Sequence, residues 1–202
     1  MKRQLLVLLA LLSILAGGAR AATLTYASSF SGGSEAPPSG SGGSGSLSLA
    51  YDASASTLTV MLDFSGLTGT TTAAHIHCCS GPGVNSDVAV ALTGFVTGVT
   101  AGTYSSLFDL SDQSIYSNSF LSASGGTAAA AEMALATALA SDQIYVNIHT
   151  TAFPGGEIRA DPVASRVPEP GAIGLIAIAM LALALTRHRN VPSPTRNLSR
   201  QD

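Results

Sequence analysis

Apolar and polar residues alternate with a period of two in four separate stretches of the chain. Leu47, Leu49 and Tyr51 form the first. Leu58, Val60, Leu62 and Phe64, interleaved with Thr57, Thr59, Met61 and Asp63, form the second. Val88, Val90 and Leu92 make a third, and Ile144, Val146 and Ile148, interleaved with Tyr145, Asn147 and His149, a fourth. Side chains leave a strand on alternate faces, so each pattern predicts a strand with one apolar face. Turn-forming residues separate the runs: residues 52–56, Ser65-Gly66, Gly81-Pro82-Gly83 and Pro154-Gly155-Gly156. Several short strands punctuated in this way predict an all-β fold, an antiparallel sandwich or barrel.

Two stretches depart from the period. Residues 39–46 are a Gly/Ser run, read as a flexible loop. Residues 127–140 are rich in alanine and carry Glu132, Met133, Leu135 and Leu139, which predicts one helix inserted between strands. No internal repeat stands out.

The ends differ in kind from this middle. Lys2 and Arg3 precede an apolar run over residues 5–16, and Ala19-Arg20-Ala21 supplies a small-x-small pattern. Residues 1–21 thus read as a secretory signal cleaved after Ala21. At the other end, Pro168-Glu169-Pro170 leads into an apolar stretch over residues 171–185, then Arg187, His188 and Arg189. Fifteen helical residues reach only about 22 Å against a hydrocarbon core of ~30 Å, so the stretch is a marginal membrane anchor. The basic cluster stays cytoplasmic by the positive-inside rule, which puts the domain before it across the inner membrane. The chain therefore divides into a signal (1–21), a domain (22–164), a hydrophobic tail segment (165–189) and a basic flexible tail (190–202).

Charge sharpens the picture. Only 10% of the residues are charged and the net charge is -3. Nearly all the bases lie in the two ends. Residues 22–164 keep a single one, Arg159, against ten acids, a formal charge near -9. Such a domain has no electrostatic footprint for nucleic acid or anionic lipid.

Candidate chemistry rests on three histidines. His75 and His77 flank Ile76 in Ala74-His75-Ile76-His77, and residues i and i+2 of a strand share a face about 7 Å apart. His149, on the polar face of its own strand beside Tyr145 and Asn147, completes a three-imidazole set suited to one copper or zinc ion. The alternative is that the imidazoles bond backbone carbonyls or cover a sheet face. Metal-bound histidines are oriented by outer partners, and Glu35 and Glu157 are the acids available. Cys78 and Cys79, the two cysteines of the chain, form either a vicinal disulfide or a pair of free thiols, with metal ligation behind. Arg159, with Glu157 and Asp161 close in sequence, reads as an ion pair that fixes the last strand. No nucleophile elbow, phosphate loop or dinucleotide fingerprint is present, and no catalytic residue is expected.

The motifs Ser34-Glu35-Ala36-Pro37-Pro38, Phe64-Ser65-Gly66-Leu67, Ala74-His75-Ile76-His77 and, above all, residues 145–150 with 153–159 resemble the CHRD domain over roughly residues 24–161. That resemblance implies a β-sandwich and no defined activity. Cys78-Cys79, where Gly-Pro often follows the histidines, is a departure. The His-x-His strand is also similar to the copper-ligand strand of copper-zinc superoxide dismutases. No further histidine lies in the domain to bridge a second metal, so dismutase activity is not expected. Pro168-Glu169-Pro170, the apolar stretch and Arg187 with Arg189 resemble the PEP-CTERM sorting signal, which implies processing by an exosortase-type membrane enzyme. Residues 190–202 run beyond the usual end of such tails. Together these readings predict a non-enzymatic exported module of the cell surface or matrix. The alternative is a mononuclear copper or zinc protein built on His75, His77 and His149.

Overall fold

The structure is a computed structural model, and it describes residues 23–165. Nine strands follow one another: β1 (Leu24–Ser31), β2 (Ser44–Asp52), β3 (Thr57–Ser65), β4 (Thr71–Cys78), β5 (Val88–Ala91), β6 (Gly102–Asp109), β7 (Ile144–Thr150), β8 (Ile158–Ala160) and β9 (Val163–Ala164). Their order in space is β5-β4-β7-β8-β1-β2-β3-β6, with β9 beside β1. All paired neighbours are antiparallel. The sheet curls into a half-barrel, an all-β, sandwich-like fold.

The hairpin of β2 and β3 shows how the alternation becomes a core. Asp52 Oδ1 accepts hydrogen bonds from the backbone N–H groups of Ser54 and Ala55 and so closes the turn. The register then sets Leu47 opposite Leu62, Leu49 opposite Val60 and Tyr51 opposite Leu58, all on one buried face. Ile76 of β4 and Val146 of β7 are paired in the same way and fully buried. Each such aliphatic side chain contributes about 1.5–3 kcal/mol on burial.

The inserted helix, α2, spans Ala128–Ala140, with Thr127 as its cap: the Thr127 hydroxyl accepts from the N–H of Ala130. Its buried residues are Ala131, Leu135, Ala138 and Leu139, the stripe a helix packed on one side presents. A short helix precedes it, α1 (Asn118–Ala123), which the sequence pattern did not predict. Six residues are too few for a hydrophobic period to show. The helix rests instead on its cap, where Ser117 Oγ accepts from the N–H of Phe120, and on the burial of Phe120.

Among the described residues no helix is long and apolar enough to cross a membrane. The signal at 1–21, the motif at 168–170, the apolar stretch at 171–185 and the bases Arg187 and Arg189 lie outside the described residues.

Candidate metal centre

The outer face of β4 and β7 is not a solvated surface. Tyr145, Asn147 and His77 are buried as deeply as the core residues on the opposite face. Three loops cover them: the segment after β1 with Glu35, the β4–β5 connection with Val84, Asn85 and Ser86, and the β7–β8 connection with Pro154 and Gly155. Asn85 Nδ2 ties two of these loops together by donating to the Ala36 carbonyl at 2.6 Å.

Antiparallel pairing of β4 with β7 places the histidines. His77 lies opposite Tyr145, His75 opposite Asn147 and Ala73 opposite His149, so His149 is the diagonal neighbour of His75. Diagonal partners lie within reach of long side chains. The three ring systems meet: His75 and His149 have centroids 4.8 Å apart, His75 and His77 5.8 Å, and His77 and His149 6.3 Å. One ring nitrogen from each lies within 4.8 Å of the other two. The point central to three such atoms is no more than about 2.8 Å from each, against ~2.0–2.1 Å for a zinc–imidazole bond. His75 Nδ1 and His149 Nε2 are 3.0 Å apart, the spacing of two ligands on one ion.

Hydrogen bonds outside the cluster decide which nitrogens carry protons. His149 Nδ1 lies 2.8 Å from the Pro154 carbonyl and His77 Nδ1 2.8 Å from the Ser86 carbonyl. A carbonyl only accepts, so both Nδ1 atoms are N–H donors and both Nε2 atoms carry lone pairs. His149 Nε2 accepts from His75 Nδ1. His77 Nε2 faces Asn147 Oδ1 at 3.1 Å. The NH2 of that amide is held by the Gly155 carbonyl at 3.4 Å, so His77 Nε2 and Asn147 Oδ1 confront each other as two acceptors.

Electrostatics favour the neutral form of His75 and His77. Burial, then His149 and His77, push His75 down to about 4. Burial also lowers His77, against the opposing pull of the Ser86 carbonyl and the Asn147 amide oxygen, which favour a protonated ring. The neutral ring is the form that binds a metal.

Behind the cluster, His77 stacks on Tyr145 with centroids 4.5 Å apart and an interplanar angle of 4°. The Arg159 guanidinium lies on that same ring. Arg159 is fully buried and pairs with Asp161 at 2.7 Å. Of the two acids near it in sequence, Asp161 is therefore its partner. Glu157 turns elsewhere: its carboxylate accepts from Ser41 Oγ, Thr150 Oγ1 and the N–H groups of Thr68 and Gly69. Burial raises its affinity for a proton, but these four bonds together hold it below the usual carboxylate range. Of the two acids expected to orient the histidines, only Glu35 reaches the site, where its carboxyl lies beside the Asn147 side chain. Burial pushes the Glu35 carboxyl up to about 7, with Arg159 and Asn147 opposing.

Cys78 and Cys79 are bonded to each other. Cys78 sits on the apolar core side of β4, across the strand from His77, and neither cysteine joins the imidazole cluster. The anchoring carbonyls of Ser86 and Pro154 and the stack on Tyr145 went unread in the sequence. The Phe153-Pro154-Gly155-Gly156 turn was the available signal, because a tight turn after His149 brings its carbonyls back over β7.

Fold and site together define a β-sandwich-like domain with a second, polar interior under its loops. The CHRD domain family model matches residues 26–161, and the chain belongs to that family. Comparison with curated proteins found no match, and neither did comparison with solved structures.

Proposed function

We propose that this chain is an exported, non-catalytic CHRD module of the cell surface or extracellular matrix whose domain holds one copper or zinc ion on His75, His77 and His149. The observation that carries the metal reading is the anchoring of His77 and His149 through Nδ1 to backbone carbonyls, which turns both Nε2 lone pairs into the cluster. Orientation by an outer partner is the arrangement metal-bound histidines adopt. In this reading the ion replaces the proton that His75 Nδ1 shares with His149 Nε2, and His75 carries its proton on Nε2 instead. Among the described residues no carboxylate or thiol joins the three imidazoles, which suits a mononuclear site. The export reading rests on the signal at residues 1–21. Sorting rests on Pro168-Glu169-Pro170, the apolar stretch at 171–185 and Arg187 with Arg189, which an exosortase-type enzyme would process at the inner membrane.

Elemental analysis after incubation with copper or zinc and dialysis tests the metal reading. The expected result is about one ion per chain, lost in a His75→Ala/His77→Ala variant. Metal-free protein whose melting temperature is indifferent to chelator sinks it.

A further inference from the structure

A second site lies beside the histidine cluster and does not depend on a metal. The segment after β1 and the β7–β8 connection wall a cleft of about 480 Å³, lined by Glu35, Pro37, Pro38, Phe153, Pro154 and Gly156 among others. Glu35 is only 7% exposed, and its Oε1 has no hydrogen-bond partner. A buried carboxylate oxygen without a donor has lost its water and gained no bond in exchange, which is destabilising. Such an atom calls for a donor from outside the chain.

Among the described residues the donor beside Glu35 Oε1, the Asn147 amide, is held by the Gly155 carbonyl. Arg159, the single base of residues 22–164, is committed to Asp161 and to the Val84 carbonyl. Position 156 must stay bare: its φ is +128°, and a Cβ there would stand 2.5 Å from Glu35 Oε1. Ser39 and Asn85 also line the cleft, but both bond within the chain, Ser39 Oγ to the Glu157 carbonyl and Asn85 Nδ2 to the Ala36 carbonyl. The prolines and the half-buried Phe153 leave apolar wall for methylene groups. Ten acids against one base give the whole domain a negative field that concentrates cations.

We infer that this cleft binds a primary alkylammonium group, with the ammonium on Glu35 Oε1 and the carbon chain against Pro37, Pro38 and Phe153. A charge-assisted hydrogen bond satisfies the orphaned oxygen, and the apolar walls take up the methylenes.

Ligand-observed saturation-transfer NMR on the full chain, in chelator at pH 8, tests this with n-butylammonium and with the neutral isostere n-butanol. The expected result is saturable transfer to butylammonium and at least tenfold weaker transfer to butanol. Glu35→Gln should weaken butylammonium tenfold or more while leaving the circular dichroism spectrum unchanged. Equal binding of the two probes, or no saturable binding of butylammonium, overturns the inference, and that comparison needs no variant. Nα-acetyl-lysine amide and glucosamine, run alongside, tell a protein-borne ammonium from a sugar-borne one. Because chelator is present, failure here leaves the metal reading untouched, and failure of the metal reading leaves this one standing.

Discussion

The Arg159 guanidinium carbon lies 3.6 Å from the centre of the Tyr145 ring, and the other face of that ring carries His77. A parallel stack and a cation at these distances fit only on opposite faces. The domain's sole base thus reaches the histidine cluster through an aromatic spacer rather than by touching it. Ion pairs buried in this way are weak evidence for net stability, but removing one partner is costly.

Arg159→Met is therefore expected to destabilise the domain by about 3–5 kcal/mol, since it strands Asp161 and the Val84 carbonyl. Arg159→Lys keeps the charge but loses the planar fork and its stacking, and should cost less, about 1–2 kcal/mol. Urea denaturation of the two variants checks both. A methionine variant within about 0.5 kcal/mol of wild type would show that the pair contributes nothing measurable.

Acidification acts on the apo domain in two opposed ways. His75 titrates near 4 in the fold against an ordinary 6.5, so the unfolded chain takes up a proton first. Its contribution to stability is complete above pH 6.5 and is lost as the pH falls toward 4. Glu35 has the reverse sign: with its carboxyl raised from 4.5 to about 7, its contribution is complete below pH 4.5 and is lost as the pH rises through 7. His75→Gln should flatten the acid limb of a stability–pH curve, by an amount on the order of 1–2 kcal/mol once partial exposure is allowed for. Glu35→Gln should gain on wild type between pH 5 and 8, roughly the range spanned by the shift. Parallel curves for all three proteins in chelator would refute both assignments.

Deleting residues 167–202 should change where the exported protein resides. A tagged chain followed in its native host is expected to lose its membrane or surface fraction when the tail is absent. If location stays the same and size changes only by the missing residues, the tail is not a sorting signal.

The alternation of apolar residues predicted β2, β3 and β7 because their inward positions are all large: Leu47, Leu49 and Tyr51, or Ile144, Val146 and Ile148. It did not reveal β1 or β6. Both carry the same masked pattern, Tyr26-x-Ser28-x-Phe30 and Tyr104-x-Ser106-x-Phe108, in which a serine occupies the middle inward position and breaks the period. Only the two aromatic residues of each are fully buried. The helix at Ala128–Ala140 was legible because alanine is a strong helix former and thirteen residues are long enough for the stripe to show.

What the sequence determined by itself was local: the strand period, the helix, the shared face of His75 and His77, and the polar face that carries His149. The sequence also fixed the acidity of the domain, with one base for ten acids. Only the tertiary structure decided that the polar face is an interior. The antiparallel register sets His149 diagonal to His75. Loops from three distant parts of the chain then close over both, bringing the carbonyls of Ser86 and Pro154 to the imidazoles and leaving one oxygen of Glu35 without a partner. The reason is physical: side-chain alternation is a property of neighbours along a strand. Burial of a polar face, and the bonds that burial demands, depend on segments far apart in sequence meeting in space.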